Sequence, residues 1–228
     1  MRGALASAVS LSAILVLSSC QDMFNSIFDT AAPTGVSASD GDYSDRVEVH
    51  WGAPNLSGDK WKGYSVDHYD VGWSGPDSGS SGRITSTSFS IPVSAGDRAV
   101  YFEVTVETTL RKLGGSTESG GEASDKGFAM DAENLIWADG GQAYTIAGAD
   151  RWYVTMLQKG FVYSFEFQGS STGYAEFYDY KTLDPQREKT ATASAPAWVC
   201  DEGGAWNKYY VHVVPSGSGA IFTARYGF

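Results

Sequence analysis

The sequence has few of the residues on which metal, redox and nucleic-acid sites depend. With two cysteines and three histidines in 228 residues, a histidine-rich or thiolate-rich metal site is not expected. Sixteen Lys and Arg residues stand against 27 Asp and Glu residues, a formal net charge of −11. Because phosphate recognition needs clustered basic side chains, this balance argues against binding of nucleic acid. The one long uncharged run is at the N-terminus, so a multi-span membrane protein is not expected.

The chain does contain ample apolar and aromatic material for a folded core. Hydrophobic residues make up 42% of the sequence, aromatic residues 14% and charged residues only 19%. This composition is typical of folded rather than disordered chains. The length suits one large β domain or two domains of about 100 residues each.

The first 19 residues have the parts of a secretory signal peptide. Arg2 supplies a positive start, the stretch from Gly3 to Leu17 is apolar, and small residues follow it. The last four residues of the leader region, Leu17-Ser18-Ser19-Cys20, resemble the lipobox of bacterial lipoproteins. That resemblance implies that the thiol of Cys20 takes up a diacylglyceryl group and that Cys20 begins the mature chain. Ordinary secretion, with Cys20 incidental, is the alternative.

Residues 20–32 follow as a predicted lipidated tether. They form either a disordered spacer or one short amphipathic turn that lies on lipid. A chain acylated in this way is attached to a membrane through its N-terminal lipid. We expect it in the bacterial cell envelope, at the outer membrane or cell surface in preference to the inner membrane. The sequence does not predict which leaflet carries it.

From Pro33 onward, apolar residues alternate with polar ones in short runs between turn residues. In the run Arg46–Trp51, Val47, Val49 and Trp51 share one face of an extended chain, as expected for a half-buried strand. This alternation predicts an antiparallel β-sandwich over residues 33–128. The other predicted strands contain Val36–Ala38, Tyr64–Val66 with Tyr69–Trp73, Phe89–Ile91 and Tyr101–Val106.

The same region carries a set of short family motifs. They are Pro33–Ser39, Asp40–Val47, Trp51 before Ala53-Pro54, Tyr69–Val71, Thr87–Pro92, Tyr101–Glu107 and Gly115–Ser119. Together they resemble a fibronectin type III domain of bacterial secreted proteins, with Asn55–Gly63 as the main departure. The resemblance implies a spacer or an adhesive surface, and by itself it implies no chemistry.

Residues 129–228 contain a second series of alternating strands. Candidates are Ala143–Ile146, Arg151–Leu157, Phe161–Phe167, Tyr174–Tyr180, Lys208–Val214 and Ala220–Tyr226. The Gly- and Ser-rich segment 215–219 predicts a hairpin between the last two of them.

Four motifs in this half carry a second, shorter resemblance. They are Gly148–Tyr153, Lys159–Tyr163, Ala175–Asp179 and Lys208–Val213. They resemble the bacterial pre-peptidase C-terminal domain, which implies a jelly-roll-like β-sandwich. In that family the domain is an appendage of secreted enzymes or a free-standing module and is not the catalyst.

One pentapeptide, Gly169–Gly173, fits the G-x-S-x-G pattern of a serine nucleophile. The chemistry needs a strand-to-helix turn and a partnered histidine, but the segment lies between two alternating strands. We therefore expect a flexible hairpin loop. His212, the one histidine of this half, is expected to face solvent or to pack at a strand edge.

Aspartates in two places are candidate calcium ligands, since Ca²⁺ prefers carboxylate oxygen. The first group is Asp40, Asp42 and Asp45, and the second is Asp150, Asp179 and Asp184. Solvated loops are the alternative in both places, and no cofactor is expected.

The aromatic residues of the glycine-rich loops are the candidate ligand surface. Trp61, Trp73, Trp198 and Trp206 lie in or beside such loops, where flat rings stack on sugars or contact a protein partner. Packing over the end of a sandwich is the alternative for each. Cys200 is expected to be structural, because its acidic neighbours Asp201 and Glu202 disfavour a reactive thiolate.

The sequence thus predicts an all-β protein with two antiparallel β-sandwiches in series: a signal peptide 1–19, a tether 20–32, a fibronectin type III-like domain 33–128 and a jelly-roll-like domain 129–228. We expect a non-catalytic, lipid-anchored binding or spacer protein that contacts an extracellular protein or glycan. A carbohydrate-binding or accessory module of a secreted hydrolase system, and a small hydrolase using Ser171 or an acid pair, remain open as alternatives.

Overall fold

The computed structural model describes residues 30–148, 150–183, 191–192, 197–199 and 206–227. Nearly all of the regular structure in the described residues is β, in several largely antiparallel sheets that include a parallel pair between Ala132–Asn134 and Arg151–Gln158. The predicted all-β class is confirmed. The short 3₁₀ helices are Asp59–Trp61 and Ala95–Asp97. In the described part of the chain no helix is long and apolar enough to cross a membrane.

The chain divides into two compact units. The first unit contains the described residues up to Ala38 together with Val49–Phe89 and Phe102–Lys126. The second unit contains Ser39–Glu48, Ser90–Tyr101 and the described residues from Gly127 onward.

The amino-terminal strands form a three-stranded sheet with the order β1-β2-β5 and a four-stranded sheet with the order β4-β3-β6-β7. Their ranges are β1 Thr34–Ala38, β2 Arg46–Gly52, β3 Tyr64–Ser74, β4 Gly79–Ile84, β5 Ser88–Pro92, β6 Phe102–Lys112 and β7 Thr117–Gly127.

Alternation positions the core of these sheets as the sequence predicts. In β2, Val47, Val49 and Trp51 are buried, while the residues between them are half-buried or exposed. Trp51 meets Tyr69 of β3 edge to face, with ring centroids 5.4 Å apart. The apolar faces of the two sheets therefore pack against each other through these rings.

The carboxy-terminal strands form a five-stranded sheet with the order β13-β12-β15-β10-β8 and a four-stranded sheet with the order β14-β11-β16-β9. Their ranges are β8 Ala132–Asn134, β9 Gln142–Ala147, β10 Arg151–Gln158, β11 Val162–Phe167, β12 Gly173–Asp179, β13 Ala191–Thr192, β14 Ala197–Val199, β15 Trp206–Pro215 and β16 Gly219–Gly227. The six strands predicted for this half are all present.

Aromatic rings fill the core of this half. Phe222 of β16 is fully buried and contacts the rings of Tyr144, Tyr153, Phe165 and Phe167 at centroid distances of 5.3 to 6.2 Å. These rings come from strands of both sheets, so Phe222 ties the two layers together.

The predicted hairpin at 215–219 is wrong. β15 pairs with β10 and β12 in the five-stranded sheet, whereas β16 pairs with β9 and β11 in the four-stranded sheet. The two flanking strands therefore belong to opposite layers, and the Gly- and Ser-rich segment crosses between the layers. Composition indicated a turn correctly but not which strands the turn joins.

The hairpin expected at Gly169–Gly173 is wrong for the same reason. The segment leaves β11 of the four-stranded sheet and enters β12 of the five-stranded sheet. The peptide nitrogen of Ser171 donates to the carbonyl of Gln168 at 3.0 Å, and the Ser171 hydroxyl accepts from the peptide nitrogen of Ile221 at 3.3 Å. It is a crossing turn with its own hydrogen bonds.

Truncation of the central ring tests this core. We expect Phe222→Ala to lower the free energy of unfolding by about 3–5 kcal/mol, because a large buried ring leaves a cavity. Ile221→Ala is the matched control, since Ile221 is the next residue of the strand and is 44% exposed. Chemical denaturation of both variants checks the expectation, and equal losses would contradict this arrangement of the core.

Candidate ligand-binding cleft

An open cleft of about 780 Å³ lies in the second unit. Its lining comes from the segment Asn134–Trp137 directly after β8, from the end of β10, from Phe161 and Tyr163, from the start of β15, and from Tyr226. The size is that of a site for a small organic ligand or a short oligomer.

Trp137 builds one wall of the cleft and is held from two sides. Its indole nitrogen donates to the Thr155 hydroxyl at 2.7 Å, and that hydroxyl donates to the carbonyl of Leu135 at 2.9 Å. Its ring meets Tyr163 and Phe165 edge to face, with centroids 4.8 and 5.1 Å apart. The wall is therefore preformed and has no unsatisfied polar group at the Trp137 ring.

Exposed apolar side chains concentrate at this cleft. Trp206, Ile136 and Met156 are 57%, 64% and 48% exposed, and all three line it. Large apolar groups left in water at one place mark interaction surfaces more often than scattered ones do. The cleft is therefore the strongest candidate ligand site in the described part of the chain.

The cleft lining has few polar side chains, among them Asn134, Gln158 and Lys208. The side-chain amides of Asn134 and Gln158 make no hydrogen bond to another described residue. Lys208 is exposed, and its ammonium lies over the ring of Tyr180, 3.4 Å from the centroid. An apolar lining with a few convergent polar groups is typical of ligand sites.

The four predicted tryptophans do not come together in one site. Trp206 lines the cleft, while Trp61 is only 4% exposed and packs against Leu110 in the first unit. Only the backbone of Trp198 is described, in β14, and its side chain lies outside the described residues. Of the four, Trp206 is the one that the structure places at a cleft.

Trp73 packs against β5 of the facing sheet and against Gly79 of its own sheet. Its ring stacks on Phe89 with centroids 5.7 Å apart, and a Cβ at Gly79 would lie 2.5 Å from it. Glycine at position 79 therefore leaves room for this ring, which makes Trp73 a packing residue.

The cleft residues Ile136, Trp137, Met156 and Lys208 were missed by sequence reasoning. A signal was present for Met156, because β10 buries Tyr153, Thr155 and Leu157 and leaves Met156 on the opposite face. An apolar residue on the outward face of an alternating strand indicates an interaction surface.

The aspartates of the first predicted calcium group have other neighbours. Asp45 forms an ion pair with Arg46 at 3.0 Å, and Asp40 forms a bridge with Phe128 through its backbone. Asp40 and Asp42 lie close enough to Tyr210 to help burial raise the pKa of its hydroxyl. In the described part of the chain, no three His, Cys, Asp or Glu side chains form a group suited to a metal ion.

The second predicted calcium group is divided in the same way. Asp179 accepts from the peptide nitrogens of Lys181 and Thr182 at 2.8 and 2.9 Å, which fixes a turn, and Asp150 contacts His212. Asp184 lies outside the described residues, as do Cys20 and Cys200.

His212 packs on the outer face of the five-stranded sheet. Its ring stacks on Trp152 with centroids 4.3 Å apart, and its Nε2 lies 2.6 Å from a carboxylate oxygen of Asp150. The second ring nitrogen lies 3.9 Å from Glu176. The imidazole is thus held by an aromatic ring and an acid, whereas the Ser171 hydroxyl accepts from the peptide nitrogen of Ile221.

A charged network on β3, which the sequence did not predict, surrounds Asp67. The register of β3 against β6 shifts between Val66 and His68, so Asp67 lies at a β-bulge. Its carboxylate contacts His68 at 2.8 Å and both Arg83 and Arg111 at 2.5 Å, and its side chain is only 6% exposed. The hydrogen bond with His68, followed by the arginines, lowers the pKa of Asp67 against the opposing effect of burial.

Asp67→Asn tests this network. Because the pKa of Asp67 is lower in the folded protein than in the unfolded chain, where it is about 3.8, the ionised carboxylate stabilises the fold. This stability is present at pH values above the unfolded-state pKa and is lost as the pH falls through the folded-state pKa. We expect the variant to have a lower thermal midpoint at pH 7 and a deficit that shrinks below about pH 4. Asp59→Asn, at an exposed position, is the control. A deficit of equal size at pH 7 and pH 2.5 would contradict the assignment.

The comparisons with known proteins leave the family open. No protein-family model matches the chain, and no curated protein is similar enough to it to count as a relative.

Proposed function

We propose that the chain is a lipid-anchored, non-catalytic binding protein of the bacterial cell envelope, and that its second unit binds a protein or glycan ligand in the cleft beside Trp206. The observation that carries this proposal is the concentration of exposed Trp206, Met156 and Ile136 around a preformed wall. An apolar surface of this kind is costly to keep in water unless a ligand covers it.

A non-catalytic role fits the surroundings of the catalytic candidates. The Ser171 hydroxyl accepts from a peptide nitrogen, and the His212 imidazole is stacked on Trp152 and contacts Asp150. A serine hydrolase requires a histidine that accepts the serine proton. Each side chain has partners that belong to the fold instead.

The membrane anchor is the other part of the proposal and rests on the leader alone. Its support is the order of a positive start, an apolar stretch and the lipobox-like Leu17–Cys20. The resemblances to fibronectin type III and pre-peptidase C-terminal domains support a spacer carrying a terminal recognition module. The carbohydrate-binding alternative is favoured by the combination of Trp206 with the side-chain amides of Asn134 and Gln158, which make no hydrogen bond to another described residue.

Removal of the cleft tryptophan tests the binding site. We expect Trp206→Ala to weaken binding to a glycan or extracellular-protein array by at least about tenfold, because exposed aromatic anchors dominate interface energy. Ile221→Ala, which removes another exposed apolar side chain outside the cleft, should bind as the wild type does. A ligand whose affinity is the same for the wild type and for Trp206→Ala would place the binding site elsewhere.

The anchor is tested by intact mass and by detergent partition in a bacterial host. We expect the mature protein to carry a lipid mass increment and to enter the detergent phase, and Cys20→Ser to lose both because it lacks the acylated thiol. A soluble, unmodified product from both proteins would show plain secretion and would contradict the anchor without affecting the cleft.

A further inference from the structure

The charge of the cleft lining differs from the charge of the chain as a whole. The chain has 27 acidic and 16 basic residues, yet the described lining residues include one charged side chain, Lys208, and no carboxylate. Among the described residues the lining is free of acids although the protein is acidic, and this favours a ligand that carries negative charge, since like charges at the contact would reject it.

We propose that the cleft binds an acidic oligosaccharide, one that contains a uronic acid or a similar carboxylate-bearing sugar. The sugar ring packs on Trp206 and its carboxylate meets the ammonium of Lys208. This inference rests on the proposed function, because it names the ligand class of the same cleft.

The strand register supports the spacing that such a ligand needs. Trp206 and Lys208 are two residues apart on β15, so they share a face and lie roughly 7 Å apart along the strand. Their partners across the ladder to β10 are Gln158 and Met156, respectively. Trp206, Lys208, Gln158 and Met156 are therefore neighbours on the outer face, and the Lys208 ammonium lies at the β12 side of this patch, over Tyr180.

Lys208 is available for a ligand anion. Its ammonium lies over the Tyr180 ring and forms no ion pair with another described residue. An ammonium held over a ring still has N–H groups on the side away from the ring that can donate, and a charge-assisted bond to a carboxylate is about twice as strong as a neutral one. The contact with Tyr180 thus positions the charge without neutralising it.

The remaining groups of the patch suit a sugar. Side-chain amides donate and accept at the same time, as sugar hydroxyls do, and those of Asn134 and Gln158 make no hydrogen bond within the described part of the chain. Trp206 and Met156 offer apolar surface to the C–H face of a pyranose ring. The cleft joins these two kinds of contact within one open site.

The test compares a uronic-acid oligosaccharide with its carboxyl-reduced, neutral counterpart by calorimetry and tryptophan fluorescence. We expect the acidic sugar to bind the wild type about tenfold more tightly than the neutral one does, and Lys208→Gln to remove that preference. Lys208→Arg should retain most of it. Lys112→Gln is the matched control, because Lys112 also lies over a tyrosine ring, Tyr64, but is in the first unit.

Each outcome separates this inference from the proposed function. The acidic-glycan inference is overturned if the acidic and neutral sugars bind with equal affinity, or if Lys208→Gln keeps the wild-type preference. In either case, an affinity for one of the sugars that is lost in Trp206→Ala still supports the cleft as a binding site. Absence of binding for both sugars also overturns the inference, and the proposed function then depends on a Trp206-dependent protein ligand. Lys208 is exposed, so the variants should keep the wild-type thermal midpoint.

Discussion

Alternation of side chains along β10 and β15 is the constraint on which the second unit depends. In β15 the inward residues Tyr209, Val211 and Val213 are buried in the core. The same period therefore forces Trp206 and Lys208 to the outer face. A shift of register by one residue would exchange the two sets and destroy core and cleft together. The proposed site is thus held by the requirements of packing and needs no separate device to position it.

The outer face of the same sheet meets two different environments. Farther along β15, Tyr210 is covered by Phe128 and Met130, and burial raises the pKa of its hydroxyl. At the start of β15, Trp206 is left in solvent. One continuous face thus has a covered aromatic end and an open aromatic end. This contrast distinguishes the rings that the fold buries for its own stability from the ring that is available to a ligand.

The sequence predicted the strands whose side chains alternate, because period two is a local property. It missed β4, whose Gly79-Ser80-Ser81-Gly82 start has no apolar alternation and which joins its sheet through the ladder with β3. It also paired β15 with β16 wrongly, since sheet membership depends on distant partners. Trp206 was identified from its glycine-rich surroundings, whereas Lys208 and the Asp67 network become visible only when the cross-strand register is known.

The two crossing turns, at 169–173 and 215–219, have a consequence for how the chain reaches this fold. Apart from β12 and β13, consecutive strands of this half lie in opposite sheets. β15 therefore pairs with β10 across a separation such as Arg151 to Val213, and local hairpins contribute little. Chains dominated by distant pairings close costly loops before they gain contacts, so they fold slowly. During that delay unpaired strand edges stay exposed to other chains. We therefore expect this half to set the folding rate and to depend most on holding chaperones.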